Sequence, residues 1–167
     1  WPIPSVRGVG GSLLYFIDAA SREAMWSHEF PHALEAPEPA LLSAVDHIAQ
    51  TMQFEEFLSG LLFYVSLFDV TKTPQLEIAD PMGLVQSQAV ESADGAVRFT
   101  LNGSLAHQSL SSRFIQNYFG AGVQHIAFAC PDIFAAADRA IAAGLPRLEI
   151  SPNYYDDLEV RWGLDAE

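Results

Sequence analysis

At 122–128 the chain reads GVQHIAF, a histidine set midway along what is otherwise an apolar strand. A second segment, VDHIAQT at 45–51, repeats the order valine, one polar residue, His-Ile-Ala. Each histidine segment runs into a helical pattern. After the first comes FEEFLSGLLFYVSLFDV (54–70), with Phe54, Phe57, Leu58, Leu61, Leu62, Val65 and Phe68 spaced to share a helix face. After the second comes DIFAAADRAIAAG (132–144), where Asp132 can cap the N-terminus, Gly144 can end the helix, and Phe134, Ala137 and Ile141 lie on one side. This is an internal duplication, too widely spaced for a solenoid.

Between the two copies, GLVQSQAVES (83–92) and AVRFTLNG (96–103) are extended runs joined around Ala93-Asp94-Gly95. Asp-Gly supplies the positive φ of a hairpin turn, so the runs are expected to pair antiparallel. RFIQNYF (113–119) reads as a helix and RLEI (147–150) as a short returning strand. At the start, VGGSLLYFID (9–18) reads as a strand leaving a tight turn; 19–39, with Pro31, Pro37 and Pro39, reads mostly as a linker. The expected domain plan is 1–42 as the end of a preceding module plus linker, and 43–167 as one metal-binding module truncated at its C-terminus.

Alternate residues of a strand share a face, which groups His47 with Val45 and Ala49, and His125 with Val123, Ala127 and Ala129. Ile126 and Phe128 point the other way and are expected under a helix. Small alanines beside each histidine leave space, as the wall of a cavity requires. Two imidazoles from equivalent strands can converge on one divalent ion, and a carboxylate would complete a facial triad with open coordination positions. Taken singly, each histidine reads equally as a core side chain hydrogen-bonded to a neighbour. His28, His32 and His107 lie in polar or proline-flanked sequence and receive no role.

Composition narrows the partners. The 167 residues are 50% hydrophobic and carry 8 Lys+Arg against 21 Asp+Glu, a net charge of -13. Such a surface repels nucleic-acid phosphates and anionic membranes, so neither is expected as a partner. No apolar run is long enough to span a membrane, and WPIPSVRGVGG at 1–11 lacks the basic-then-apolar order of a secretory signal. The single cysteine, Cys130, permits neither an internal disulfide nor a multi-cysteine zinc site, which suits a reducing cytoplasm.

In order, DHIAQT (46–51), GLVQSQAVESADGAVRFTLN (83–102), RFIQNYFGAGVQHIAFACPDI (113–133) and EISPNYYDDL (149–158) resemble the C-terminal half of 4-hydroxyphenylpyruvate dioxygenase, of the vicinal-oxygen-chelate superfamily. VRGVGGSLLYFID (6–18) resembles the end of that enzyme's N-terminal half. The resemblance implies an α/β (α+β) fold of paired βαβββ modules forming a curved mixed sheet, the second module incomplete. It implies His47 and His125 as the first two metal ligands, with a third, a glutamate, beyond the chain end. Glu149, Glu159 and Glu167 precede that position and are not assigned to it. Ser87 and Asn102 match positions lining the pocket for a small aromatic or keto-acid ligand.

One departure bears on the substrate: where the dioxygenase has a substrate-holding glutamine, this chain has Leu110, with Gln108 and Gln116 nearby. GLVQSQAVES, RFTLNGS and SLFDV are similar to a bacterial fusion in which a TIM barrel with 3-dehydroshikimate dehydratase activity precedes a dioxygenase-like domain. The implied functions are thus an appended metal-binding domain of such a lyase in aromatic catabolism, an Fe(II)-dependent dioxygenase of tyrosine catabolism, or a non-catalytic module. The implied cofactor is a divalent metal: Fe(II) in a dioxygenase, otherwise Mg2+, Mn2+ or Co2+. On the lyase reading this chain alone is inactive; a homo-oligomer is left open.

Overall fold

The strands form where β-branched and aromatic residues alternate with polar ones, and one central strand organises the rest. In the computed structural model, which describes residues 2–32, 41–80 and 82–163, that strand is β3, Ala44–Gln53. It lies parallel to β7 (Arg98–Ser104) on one side and antiparallel to β8 (Gly122–Ala129) on the other. β6 (Gly83–Glu91) pairs antiparallel with β7 through the expected hairpin, with Gly95 at φ 70 in its turn. Two short strands, β4 (Thr71–Lys72) and β5 (Leu76–Asp80), both pair with β6 and complete a six-stranded mixed sheet, in the order β4-β6-β7-β3-β8 with β5 off this path beside β6. Ahead of it, β1 (Ser5–Arg7) and β2 (Leu13–Tyr15) make a small antiparallel hairpin.

The sheet has two unlike faces. Residues opposite one another across strands share a face. Helix α2, Phe57–Leu67, covers the side bearing Met52, Leu101 and Val90, and its inward stripe is Phe57, Gly60, Leu61 and Tyr64. Gly60 permits the approach: a Cβ there would lie 2.9 Å from the Met52 sulfur. Leu58 and Leu62 of the expected apolar face lie outward, because a helix apolar nearly all round can bury only one stripe against a sheet. The Tyr64 hydroxyl donates to the side-chain amide oxygen of Gln50, Oε1, at 2.6 Å, satisfying a polar pair inside the core, and the Tyr64 ring stacks on Phe99.

Helix α3, Leu110–Tyr118, lies over the other face at one end: Gly122, opposite Thr51, has no room for a Cβ because the Tyr118 ring occupies that space. Ser109 caps this helix by accepting from the Ser112 amide.

Two β-bulges alter the expected faces. The β3–β8 register shifts between Val45 and His47 and again between Ala49 and Gln50. Val45 therefore lies opposite Phe128, and Val123 opposite Gln50, which moves both valines to the helix side. Val123 lines a cavity of about 320 Å³ there with Ile48, Gln50, Tyr64, Phe68 and Phe99. Ile126 and Phe128 do point away from the histidines, but α2 sits over β6 and β7, and both side chains stay about half exposed.

Two further expectations change, and one helix has no counterpart among them. Ala19–Glu29, expected within the linker, is helix α1, capped by Asp18, which accepts from the Ser21 amide at 2.6 Å; Pro37 and Pro39 lie outside the described residues. RLEI at 147–150 is not a strand, since no neighbour supplies its hydrogen bonds among the described residues. Pro152–Trp162 is a helix, α5, with proline in its first turn and Gly163 at φ 60 behind it.

The chain separates into two compact units, 1–129 and 130–167. The second contains α5 and α4 (Ile133–Ala142), whose N-terminus Asp132 caps by accepting from the Phe134 and Ala135 amides. No helix among the described residues is long and apolar enough to cross a membrane.

Burial raises the Tyr64 phenol from 10.0 to about 12, opposed only in part by its bond to Gln50. Above pH 10 the unfolded chain releases a proton that the folded chain retains, so stability falls as pH climbs from about 10 to about 12. In urea unfolding followed against pH, Tyr64→Phe is expected to lose this tyrosine's share of the alkaline decline. At neutral pH it should cost about 1–3 kcal/mol, by leaving Gln50 Oε1 buried without its donor.

Candidate metal site

The bulges leave His47 and His125 on the face opposite α2. His47 lies opposite Ala127 and His125 opposite Ala49, so the two imidazoles sit diagonally across adjacent strands with only alanines directly facing them. Their ring centroids are 5.6 Å apart and the rings meet edge to face at 76°. An imidazole nitrogen binds a divalent ion at about 2.0–2.1 Å, which puts each ring centroid about 3 Å from the ion. The spacing therefore suits two rings sharing one ion.

Each ring has a distinct electrostatic setting. His47 Nδ1 lies 2.7 Å from Asp46 Oδ2. An ionised carboxylate only accepts, so Nδ1 carries the proton, and in the neutral ring Nε2 keeps its lone pair for a ligand. The His47 hydrogen bond, with help from Arg98, holds the Asp46 carboxyl below the usual carboxylate range. His125 is pushed below the ordinary histidine value, first by partial burial and then by the neighbouring His47. Both effects favour the neutral form of His125, the form that can bind a metal.

The same face carries the two expected pocket residues. Ser87 on β6 lies opposite Asn102 on β7, which lies opposite Thr51 on β3, giving a polar row across three strands. All three are buried, and the Thr51 hydroxyl has no hydrogen-bond partner among the described residues. Leu110 is the first residue of α3 and is exposed, as are Gln108 and Gln116. His28, His32 and His107 are exposed.

Among the described residues, no third histidine, cysteine or carboxylate joins the pair to make a three-donor cluster. The donors present therefore supply two of the positions that a divalent ion needs. The Asp46 contact was missed in the sequence, although an acidic residue directly before a candidate ligand is a readable signal for a supporting hydrogen bond.

No family model matches the chain. A 3-dehydroshikimate dehydratase of Pseudomonas aeruginosa is 42% identical over 166 residues, which are 99% of this chain and 26% of the relative. A 4-hydroxyphenylpyruvate dioxygenase of Legionella pneumophila is 28% identical over 162 residues, 95% of this chain and 45% of the relative.

Among solved structures, a 4-hydroxymandelate synthase variant from Streptomyces coelicolor superposes with a TM-score of 0.74 at 22% identity, over 96% of this chain and 47% of that one. A xylose isomerase-like TIM barrel/4-hydroxyphenylpyruvate dioxygenase fusion protein matches with a TM-score of 0.63 at 34% identity, over 98% of this chain and 25% of that one. The curved mixed sheet and these neighbours define a protein of the vicinal-oxygen-chelate fold. Within that class, the chain is similar to 4-hydroxyphenylpyruvate dioxygenases and to 3-dehydroshikimate dehydratases, and it spans just under half of the former and about a quarter of the latter.

The electrostatics make a direct prediction for the metal-free chain. The His125 ring proton, followed by NMR against pH, should titrate with a midpoint below 6.5. In His47→Gln the midpoint should move part of the way back up, because the neighbour's charge is removed while burial remains. An unchanged midpoint would mean that the two rings do not interact.

Proposed function

We propose that this chain is the metal-binding, dioxygenase-like domain of a 3-dehydroshikimate dehydratase fusion protein. The observation that carries the reading is the pairing of His47 and His125 across β3 and β8, with rings 5.6 Å apart on one face. In this reading, both imidazoles hold a divalent metal, Fe(II) in a dioxygenase and otherwise Mg2+, Mn2+ or Co2+. A carboxylate from outside the described residues completes the set.

When bound, such an ion offers open positions to a bidentate oxygen ligand, such as a keto acid. His47 presents Nε2 because Asp46 holds the proton on Nδ1. His125 stays neutral because it is partly buried beside a second imidazole. Ser87 and Asn102, on the same face, offer a hydroxyl and an amide to orient a small aromatic or keto-acid ligand. α3 covers one end of this face. Residues 1–42 would end a preceding module, and a TIM barrel ahead of it would carry the dehydration.

The 42% identity to a dehydratase supports the fusion reading. The leucine at 110, in place of a donor that could hold a keto acid, argues against turnover of 4-hydroxyphenylpyruvate by this domain.

The test uses the intact protein. His125→Ala should remove the metal bound by this domain and leave the conversion of 3-dehydroshikimate unchanged, since the barrel chemistry does not pass through His125. Retention of the metal would overturn the ligand assignment. Loss of dehydratase turnover, with the barrel folded and its own metal retained, would overturn the division of labour. Homogentisate formed from 4-hydroxyphenylpyruvate by the Fe(II)-loaded protein would select the dioxygenase reading instead.

A further inference from the structure

The extra residue in the first β3 bulge is Asp46, which has no partner of its own on β8. Freed from the ladder, its carboxylate turns to two neighbours at once: His47 Nδ1 at 2.7 Å, and Arg98 Nη1 at 3.0 Å from Oδ1 and 3.1 Å from Oδ2. Arg98, the first residue of β7, is held from its other edge, where Nε donates to Glu91 Oε2 at 3.0 Å across the hairpin. Glu91 and Arg98 are directly paired in the β6–β7 ladder. Three strands thus contribute one file of groups, Glu91, Arg98, Asp46 and His47, ending on the imidazole.

We infer that Arg98 is a positioning residue for His47: bridged between Glu91 and Asp46, it fixes the Asp46 carboxylate so that His47 is held as the Nδ1–H tautomer with Nε2 facing the histidine pair. The inference rests on the reading of His47 as a metal ligand, and it adds the device that orients that ligand.

The physical case has three parts. A free neutral imidazole prefers its proton on Nε2, the wrong nitrogen for this geometry, and a fixed acceptor at Nδ1 reverses that preference. A lone aspartate beside its own histidine has rotamers that release the ring; one whose two oxygens both face a guanidinium nitrogen has fewer. The bridge also needs a planar fork, since Nε and Nη1 point to different carboxylates at the same time, which a lysine ammonium on a flexible stem does not reproduce. Stability does not account for the file. All four side chains remain between a quarter and two-fifths exposed, and ion pairs this exposed add little to folding.

The test is made on the 167-residue chain, labelled with 15N-histidine and kept metal-free at about pH 8, above the ordinary histidine range. Two-bond 1H–15N spectra report which nitrogen of each ring is protonated, and His47→Gln identifies the His47 signals. The unsubstituted chain should show His47 protonated at Nδ1. In Arg98→Met the proton should move toward Nε2, and in the intact protein the dissociation constant for Co2+ at this site should rise about 10- to 100-fold, as for loss of other groups that orient a metal ligand. Arg98→Lys should fall between the two. Tyr64→Phe, a destabilising change on the opposite face, should leave the tautomer and Co2+ binding unaltered.

Nδ1 protonation that persists in Arg98→Met would overturn the inference, as would an equal shift in Tyr64→Phe. If the tautomer responds to Arg98 but the intact protein, with the completing carboxylate present, takes up no Co2+ at the His47–His125 pair, the positioning role stands and the metal reading fails.

Discussion

The antiparallel pairing of β3 with β8 is the contact on which the other features depend. A strand alternates its side chains between two faces, so a slip of one residue in this ladder would send one histidine to the helix side. Two bulges lie within it, one on either side of the His47–Ala49 segment. Between them the register is regular for three pairs, and these are the pairs that contain both histidines and the alanines facing them. Outside them Val45 and Val123 turn toward the apolar side. The bulges thus confine a small polar window to an otherwise hydrophobic ladder, and the first also frees Asp46 to support His47.

The window works because the opposite face is rigid. There Tyr64, fully buried, stacks on Phe99 and donates to Gln50, while Met52, Leu61 and Leu101 fill the remaining space. β3 carries both environments, with Gln50 and Met52 beneath α2 and His47, Ala49 and Thr51 on the other side. A strand anchored this way has little freedom to rotate, so its histidine can be held near a productive geometry without a tight shell of its own. The cost of partial burial on the open face falls on the charged forms, which is why His125 is biased toward neutrality. A neutral imidazole is also what a cation requires of a ligand. The net charge of -13 is consistent with a surface that attracts cations rather than phosphate chains.

Local signals in the sequence determined a good deal. The strand–helix duplication, the Asp-Gly hairpin, the cap at Asp132 and the glycine stop at Gly144 each depend on neighbouring residues alone, and each lies where the chain places it. The association of His47 with His125 was legible for a related reason: two copies of one pattern fold alike, so their equivalent residues meet across the junction. Pro152 and Gly163 are equally local signals for α5, whereas α1 is obscured in the sequence by the proline-rich stretch after it. What only the tertiary structure decided depends on partners distant in the chain. RLEI at 147–150 has a strand's composition but no ladder to join, and a strand exists only through its neighbour's hydrogen bonds. The bulges that reassign Val45 and Val123 arise from the fit of two strands, not from either alone. Arg98 reads as a polar residue at a hairpin edge until β3 and β6 bring two carboxylates to the two edges of its guanidinium. No pattern within β7 encodes that meeting, because it is set by the order of strands in the sheet.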